Sequence, residues 1–288
     1  MSVFIASIGF GLVTAAVLAL ASVGFTLQFA VTNVLNLAYG GVMIVAAYAA
    51  YLLNEHGVNI WISVLAAIIA GAVLSVLLNN VIYTPFARRG TTPIAMVIVA
   101  LGMTLILEFG TQAVAGPTNV SYAMSQGATV KLGSLQLTVV QLVIIVLAIV
   151  VMLLVHALVR YTRLGKAMRA TAANRDLARN CGIRTSRVIS LTWLISGALC
   201  GLAGATFAMN SGTFGATSTD IFLVLILAAV FLGGPGEPYG AMLGALVIGL
   251  ATEVSASLIV SDYKDVIAFV ILLVMLTVRP NGLLGTPA

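Results

Sequence analysis

The chain is predicted to be all-α: a polytopic transmembrane bundle of eight or nine helices. Three observations lead there. Of 288 residues, 61% are apolar and only 7% charged, whereas soluble domains carry about 25% charged residues. The mean hydropathy is +1.16. The apolar residues also fall in continuous runs of about helix length, not in the short alternating segments of a membrane β-barrel. A soluble enzyme is excluded because there is too little polar surface to cover one. Disorder and collagen are excluded by the same composition.

The spans follow in chain order. Residues 1–54 contain no charged side chain. As one helix they would be roughly 80 Å long, more than twice a ~30 Å hydrocarbon core. Two spans are therefore expected, about 3–24 and 38–53, separated by Thr26, Gln28, Thr32, Asn33, Asn36 and Tyr39. Further spans are expected near 60–83, 94–115, 138–159, 188–209, 240–260 and 266–278. The run 221–232 is short for a crossing, so it is either a ninth span or a tilted, kinked or re-entrant segment. Pro85, Arg88, Arg89 and Pro93 make a basic turn, and residues 116–137 a polar loop. The first segment lacks a basic leader region and a clear cleavage site, so it is expected to remain as a span.

The charge distribution sets the orientation. The net charge is +5, but eight of the 13 basic residues lie between Arg160 and Arg187. Such concentration reports topology and not a nucleic-acid surface. Loops 84–92 and 160–187 and Arg279 are expected in the cytoplasm, and the N-terminus and loop 116–137 outside. His56 and His156 are far apart and form no metal constellation. Cys181 and Cys200 fall in a basic loop and an apolar span, which argues against a disulfide framework.

Three groups of residues carry candidate chemistry. Ala167 to Asn180 contains helix formers and no proline, with Gly182 as a stop. It reads as one short helix, either a solvated loop or a docking surface for a cytoplasmic partner. Asn33 and Asn36 are three apart and would share a face if helical. With Gln28, they serve either as interhelical hydrogen bonds or as the lining of a substrate path. Glu108 and Glu253 lie within spans, where carboxylates are either structural or available to a substrate ammonium group. Gly197 and Gly201, and Gly236, Gly240 and Gly244, have the four-residue spacing that lets helices approach closely.

One resemblance covers nearly the whole chain. Gly165-Lys-Ala-Met-Arg-Ala, Ala172-Ala-Asn, Ala178 and Gly182-Ile183 resemble the coupling segment of the permease subunits of branched-chain amino acid ABC importers, of the LivH type. Asn33 to Met43 resembles that family's N-terminal segment, with Tyr39 where the family usually has His. Leu232-Gly-Gly-Pro-Gly-Glu-Pro-Tyr-Gly-Ala resembles its glycine-rich turn. Tyr263-Lys-Asp and Arg279-Pro-Asn-Gly-Leu-Leu-Gly resemble its C-terminus.

The resemblance implies a type II importer permease, a single domain over 1–288, in a bacterial inner membrane. Two cytoplasmic ABC ATPases would dock on the coupling helices of two permease subunits, in this chain on segment 160–187 through Arg163, Lys166, Arg169, Asn174, Arg175, Asp176, Ala178 and Gly182. A LivM-type permease and an external binding protein would complete the assembly. A small amino acid would pass along a path containing Gln28, Asn33, Asn36, Tyr39, Glu108 and Glu253. The chain itself is expected to need no cofactor and to be no enzyme. It has no G-x-x-x-x-G-K-[S/T] motif, since Gly165-Lys166 is followed by Ala167, so ATP would be used by partner subunits. A different class remains open on the residues alone: a self-contained secondary transporter or channel for a small polar solute.

Overall fold

The structure is a computed structural model and describes residues 2–124, 127–132, 135–258, 264–278 and 282–285. Among these, nine apolar helices occupy the nine expected positions. They are α1 (Ser2–Thr32), α2 (Tyr39–Glu55), α3 (Ile60–Leu78), α5 (Pro93–Ala115), α6 (Val139–Tyr161), α9 (Thr185–Ser211), α10 (Thr219–Gly233), α11 (Pro238–Leu258) and α12 (Lys264–Val278). The short helices α4 (Thr84–Arg88), α7 (Arg163–Ala173) and α8 (Arg175–Asn180) lie at helix ends and between α6 and α9. Six of the helices are long and apolar enough to cross a membrane: α1, α3 with α4, α5, α6, α9 and α11. The other three, α2, α10 and α12, have 17, 15 and 15 residues. At 1.5 Å per residue these reach only about 22–26 Å.

Local sequence explains the boundaries. Asn59 caps α3 by accepting from Trp61 N–H at 3.0 Å. Thr92 caps α5, with Pro93 in its first turn, where a missing N–H costs nothing. Thr138 and Gln141 form a reciprocal capping box that starts α6. The loop before it is more ordered than its composition suggests. Thr129–Leu132 (β1) and Leu135–Thr138 (β2) pair antiparallel, Thr129 opposite Thr138.

α3 continues into α4 through a π-helical turn, Asn79–Tyr83, in which Thr84 N–H donates to Asn79 O five residues back. The following Pro85 has no N–H and its ring would crowd the preceding turn of a regular helix. The wider turn relieves that conflict.

α1 and α9 form the buried centre and pack on each other, α1 also on α11 and α9 also on α3. The approach of α3 to α9 is backbone on backbone. A methyl group added at Gly71 would sit 2.9 Å from Gly201 Cα, and one at Gly197 3.0 Å from Ala72 Cα. The close approach anticipated for Gly197 and Gly201 is thus present, and its partner stripe is Ala67 to Ser75 on α3. Outward, α3 presents Ile62, Leu65, Ile69, Val73 and Leu77, an exposed apolar stripe at helical spacing suited to lipid.

Three sequence expectations are corrected. The first span does not end near residue 24: α1 runs on through Thr26 and Gln28 to Thr32, so the break begins only at Asn33. Asn33 and Asn36 share no helix face, because α1 ends at Thr32 and α2 begins at Tyr39. Asn33 adopts φ +53°, a left-handed conformation that asparagine tolerates better than most residues. It turns the chain back into the bundle, leaving Asn33 exposed and Asn36 buried. The single helix expected over Ala167–Asn180 is two helices, broken at Asn174, which is extended (φ −159°, ψ 108°). The Asn174 side chain caps α8, accepting from Leu177 N–H at 2.9 Å. An asparagine that can bond its own backbone favours a cap over a helix interior. The stop at Gly182 is as expected, at φ +83° just beyond α8. Tyr263, Arg279 and most of the C-terminal resemblance lie outside the described residues.

Candidate functional site

A polar network sits in the apolar centre where the α1–α2 break meets α3 and α9. Gln28 Oε1 accepts from Asn36 Nδ2 at 3.4 Å and from Ser196 Oγ at 3.2 Å. Asn36 Oδ1 accepts from the Tyr83 hydroxyl at 2.6 Å. The Tyr39 hydroxyl donates to Ser196 O at 3.3 Å, and Tyr39 O accepts from the Cys200 thiol at 3.3 Å. Tyr39 also meets the edge of Phe25, with ring centroids 5.5 Å apart. The π-turn is what brings Tyr83 inward to this network. Further along α1, Ser22 Oγ, Thr26 Oγ1 and Gln28 Nε2 are buried without hydrogen-bond partners. Buried polar atoms are nearly always paired, so this run of unpaired groups on one helix is unusual.

The first turns of two short helices meet in the interior. The Thr219 hydroxyl at the start of α10 donates to Gly40 O at the start of α2, at 3.1 Å. Both ends carry partial positive charge. Glu108 on α5 is buried, its carboxyl beside that of Asp220 in the first turn of α10, and its Oε1 has no hydrogen-bond partner.

Glu253 is elsewhere. It accepts from the Thr14 hydroxyl at 3.2 Å and lines a cavity of about 230 Å³ between α1, α9, α10 and α11. The Phe207 and Phe222 rings, 4.8 Å apart, share that cavity.

Segment 160–187 projects from the ends of α6 and α9. Thr162 closes α6 and caps α7, accepting from Gly165 N–H at 3.0 Å. Arg169 donates to Val159 O and ties α7 back to α6. Met168 and Thr171 are buried beneath α7, and Ala178 beneath α8. Arg163, Lys166, Arg175 and Asp176 are exposed. The segment is therefore a folded helix pair with one face seated and a charged face presented, not a loose loop.

Residues 7–276 match the family described as the branched-chain amino acid transport system / permease component. The chain belongs to this family. Among its relatives, the high-affinity branched-chain amino acid transport system permease protein LivH of Salmonella typhimurium is 29% identical, over 93% of this chain and 91% of its own length. BraD of Pseudomonas aeruginosa, a permease of the same description, is 28% identical over 96% and 94%. LivM of Escherichia coli is more distant, at 24% over 91% of this chain and 66% of LivM. No solved structure matches the chain. The chain is thus a multi-pass membrane permease subunit, and its family is one of transport components, not of enzymes.

Within this permease, the structure joins Gln28, Asn36 and Tyr39 in one network and leaves the other path candidates apart. Asn33 faces a different cavity, of about 750 Å³, shared with Arg169 and Glu237. Glu108 belongs to the α2–α10 junction, and Glu253 to the α1–α11 side. Sequence reasoning missed Ser196, Tyr83, Asp220 and Thr14. Only Asp220 left a signal, a lone acid at the head of an apolar run. The histidines are used locally, His56 Nδ1 2.6 Å from Leu52 O and His156 Nδ1 2.9 Å from the Tyr239 hydroxyl.

Proposed function

We propose that this permease is the membrane-spanning subunit of an ATP-driven importer of branched-chain or other small amino acids. The observation that carries the reading is the folded helix pair α7–α8, which presents Arg163, Lys166, Arg175 and Asp176 on a seated scaffold. One of two cytoplasmic ATPases docks there, the other on the second permease, and the pair supplies all nucleotide chemistry. Closure of the ATPase pair pushes α7–α8, and the push reaches α6 through the Arg169–Val159 tie and α9 through the packing of α7 and α8 on it.

All nine apolar helices enter the bilayer, with the N-terminus outside and the C-terminus in the cytoplasm of a bacterial inner membrane. The charge of segment 160–187 supports that orientation. A LivM-type subunit pairs with the chain, and an external binding protein delivers the solute. The relatives, described as branched-chain amino acid permeases, support the substrate class.

In the path, the unpaired groups of Ser22, Thr26 and Gln28 and the network with Asn36 and Tyr39 offer hydrogen bonds to a passing polar solute. Glu108 and Glu253 offer charge to an ammonium group. The test is purification from the native membrane in mild detergent, then reconstitution. Co-purification of ATPases and a second permease, with uptake that needs ATP, is expected. A chain that purifies alone and transports in liposomes without ATP refutes the proposal.

A further inference from the structure

The ends of α3 and α4, the start of α8 and the start of α9 enclose a crevice of about 340 Å³. Its wall includes Arg88, Arg175, Ser186, Ser190, Asn80 and Trp193, and contains no carboxylate. A neighbouring cavity of about 710 Å³ shares Arg88, Arg175 and Ser186 and adds Arg179, Arg184 and Arg187, again without an acid. Asp176 follows Arg175 on α8 but belongs to neither wall. One member of the crevice wall is unusual. Trp193 is 0% exposed and its indole N–H has no hydrogen-bond partner. Its ring lies against Tyr83, with centroids 5.0 Å apart, and the Tyr83 hydroxyl is already committed to Asn36.

We propose that this crevice binds a phosphate group. The donor chemistry selects an oxyanion. The wall residues supply two guanidinium groups and two serine hydroxyls, and Trp193 brings an N–H that is closed off in this structure and gains a partner only from an acceptor. Guanidinium groups match tetrahedral oxyanions with paired N–H donors. A zwitterionic amino acid fits poorly, because its ammonium group finds no charged acceptor in the wall. A lone carboxylate, planar and with two oxygens, engages fewer of these donors at once than a tetrahedral phosphate does, and the two neighbouring cavities together bear five arginines. The phosphate comes either from an anionic phospholipid headgroup or from free phosphate.

The occupant joins three elements that otherwise touch little. It links Arg88 after the π-turn, Arg175 at the head of α8, and Ser186, Ser190 and Trp193 on α9. It therefore clamps α8 to the end of α3 and adjusts how firmly the helix pair is held. This inference stands whether or not the chain is driven by ATP.

The chain has two tryptophans, so Trp61→Phe leaves Trp193 as the only indole. That full-length variant, in a neutral detergent and phosphate-free buffer, is titrated with dihexanoyl-phosphatidylglycerol, dihexanoyl-phosphatidylcholine, inorganic phosphate and acetate. A saturable change in Trp193 emission with phosphatidylglycerol, and none with phosphatidylcholine or free phosphate, supports the headgroup source. Saturation by inorganic phosphate supports free phosphate. Arg88→Gln should raise the apparent dissociation constant about ten-fold, as loss of a charge-assisted contact does. Ser190→Ala, a milder change, should raise it about three-fold. The proposal is overturned by no saturable response, by acetate acting as well as phosphate, or by an undiminished response in both folded variants.

Discussion

Replacing Asn36 by Ala tests whether the polar network holds the bundle. Asn36 is 1% exposed, accepts from Tyr83 at 2.6 Å and donates to Gln28 at 3.4 Å. The short bond is worth about 1 kcal/mol net and the long one less. The truncated side chain also leaves a small void, which adds up to about 1 kcal/mol more. Asn36→Ala should therefore cost about 2 kcal/mol. Tyr83→Phe removes only the short bond and should cost about 1 kcal/mol. The double variant loses the shared short bond only once, so the total should stay near ~2 kcal/mol rather than the additive ~3 kcal/mol, a coupling of about 1 kcal/mol. That lies within the range of side-chain hydrogen bonds between membrane helices, which average ~0.6 and reach ~1.7 kcal/mol. The assay is equilibrium unfolding from mild detergent into SDS, followed by the fluorescence of Trp193, which packs on Tyr83. Strict additivity of the two single costs would falsify the network as a cooperative unit.

Three further outcomes are expected. Gly197→Leu drives a side chain into the backbone of α3 at Gly71 and Ala72; it should cost at least 1–3 kcal/mol and sharply lower the yield of folded protein, whereas Gly102→Leu, with nothing within 4 Å of its added Cβ, should leave yield unchanged. Asp176→Arg places a cation in the first turn of α8, where the helix dipole favours an anion, and should abolish ATP-coupled uptake while leaving the amount of permease in the membrane intact; normal uptake would sink the docking role. Glu253→Gln keeps a group able to accept from Thr14 but removes the charge. It should raise the half-saturation concentration for uptake several-fold with assembly unchanged, and unaltered uptake kinetics return Glu253 to a structural role.

Eight of the apolar helices are legible as continuous apolar runs, with Pro93 and Gly182 marking two boundaries; α10 is legible only as a short run, a span or a re-entrant segment, and the capping roles of Thr92 and of Thr138 with Gln141 show only in the structure. The close approach of Gly197 and Gly201 was legible too, since small residues four apart have few other uses on a membrane helix. What stayed hidden depended on backbone conformation or on distant partners. Asn33 and Asn36 look like a helical pair until Asn33 is seen at φ +53°. Asn174 sits among alanines and arginines with no proline beside it, so its capping role is indistinguishable from a helix interior in one dimension. Ser196 meets Gln28 across 168 positions and Tyr39 across 157. An ordinary serine in an apolar span carries no sign of either contact. The basic cluster was legible as orientation, but the unpaired indole of Trp193 beside it was not.

The five-residue turn at Asn79–Tyr83 has a consequence for insertions and deletions. Each residue removed from a helix rotates everything beyond it by about 100°. The π-turn absorbs one residue above the regular count, so deleting Asn80 would let α3 run on at the regular pitch with Thr84–Arg88 close to their present phase. A deletion within Ile60–Leu78 has no such slack: Thr84–Arg88 would turn by that angle, Arg88 would swing off the crevice rim, and Tyr83 out of reach of Asn36. Composition and hydropathy would scarcely change in either case, so the difference would be invisible to any count of residue types. The phase of this helix, kept across one surplus residue ahead of Pro85, is as much a part of the permease as its side chains.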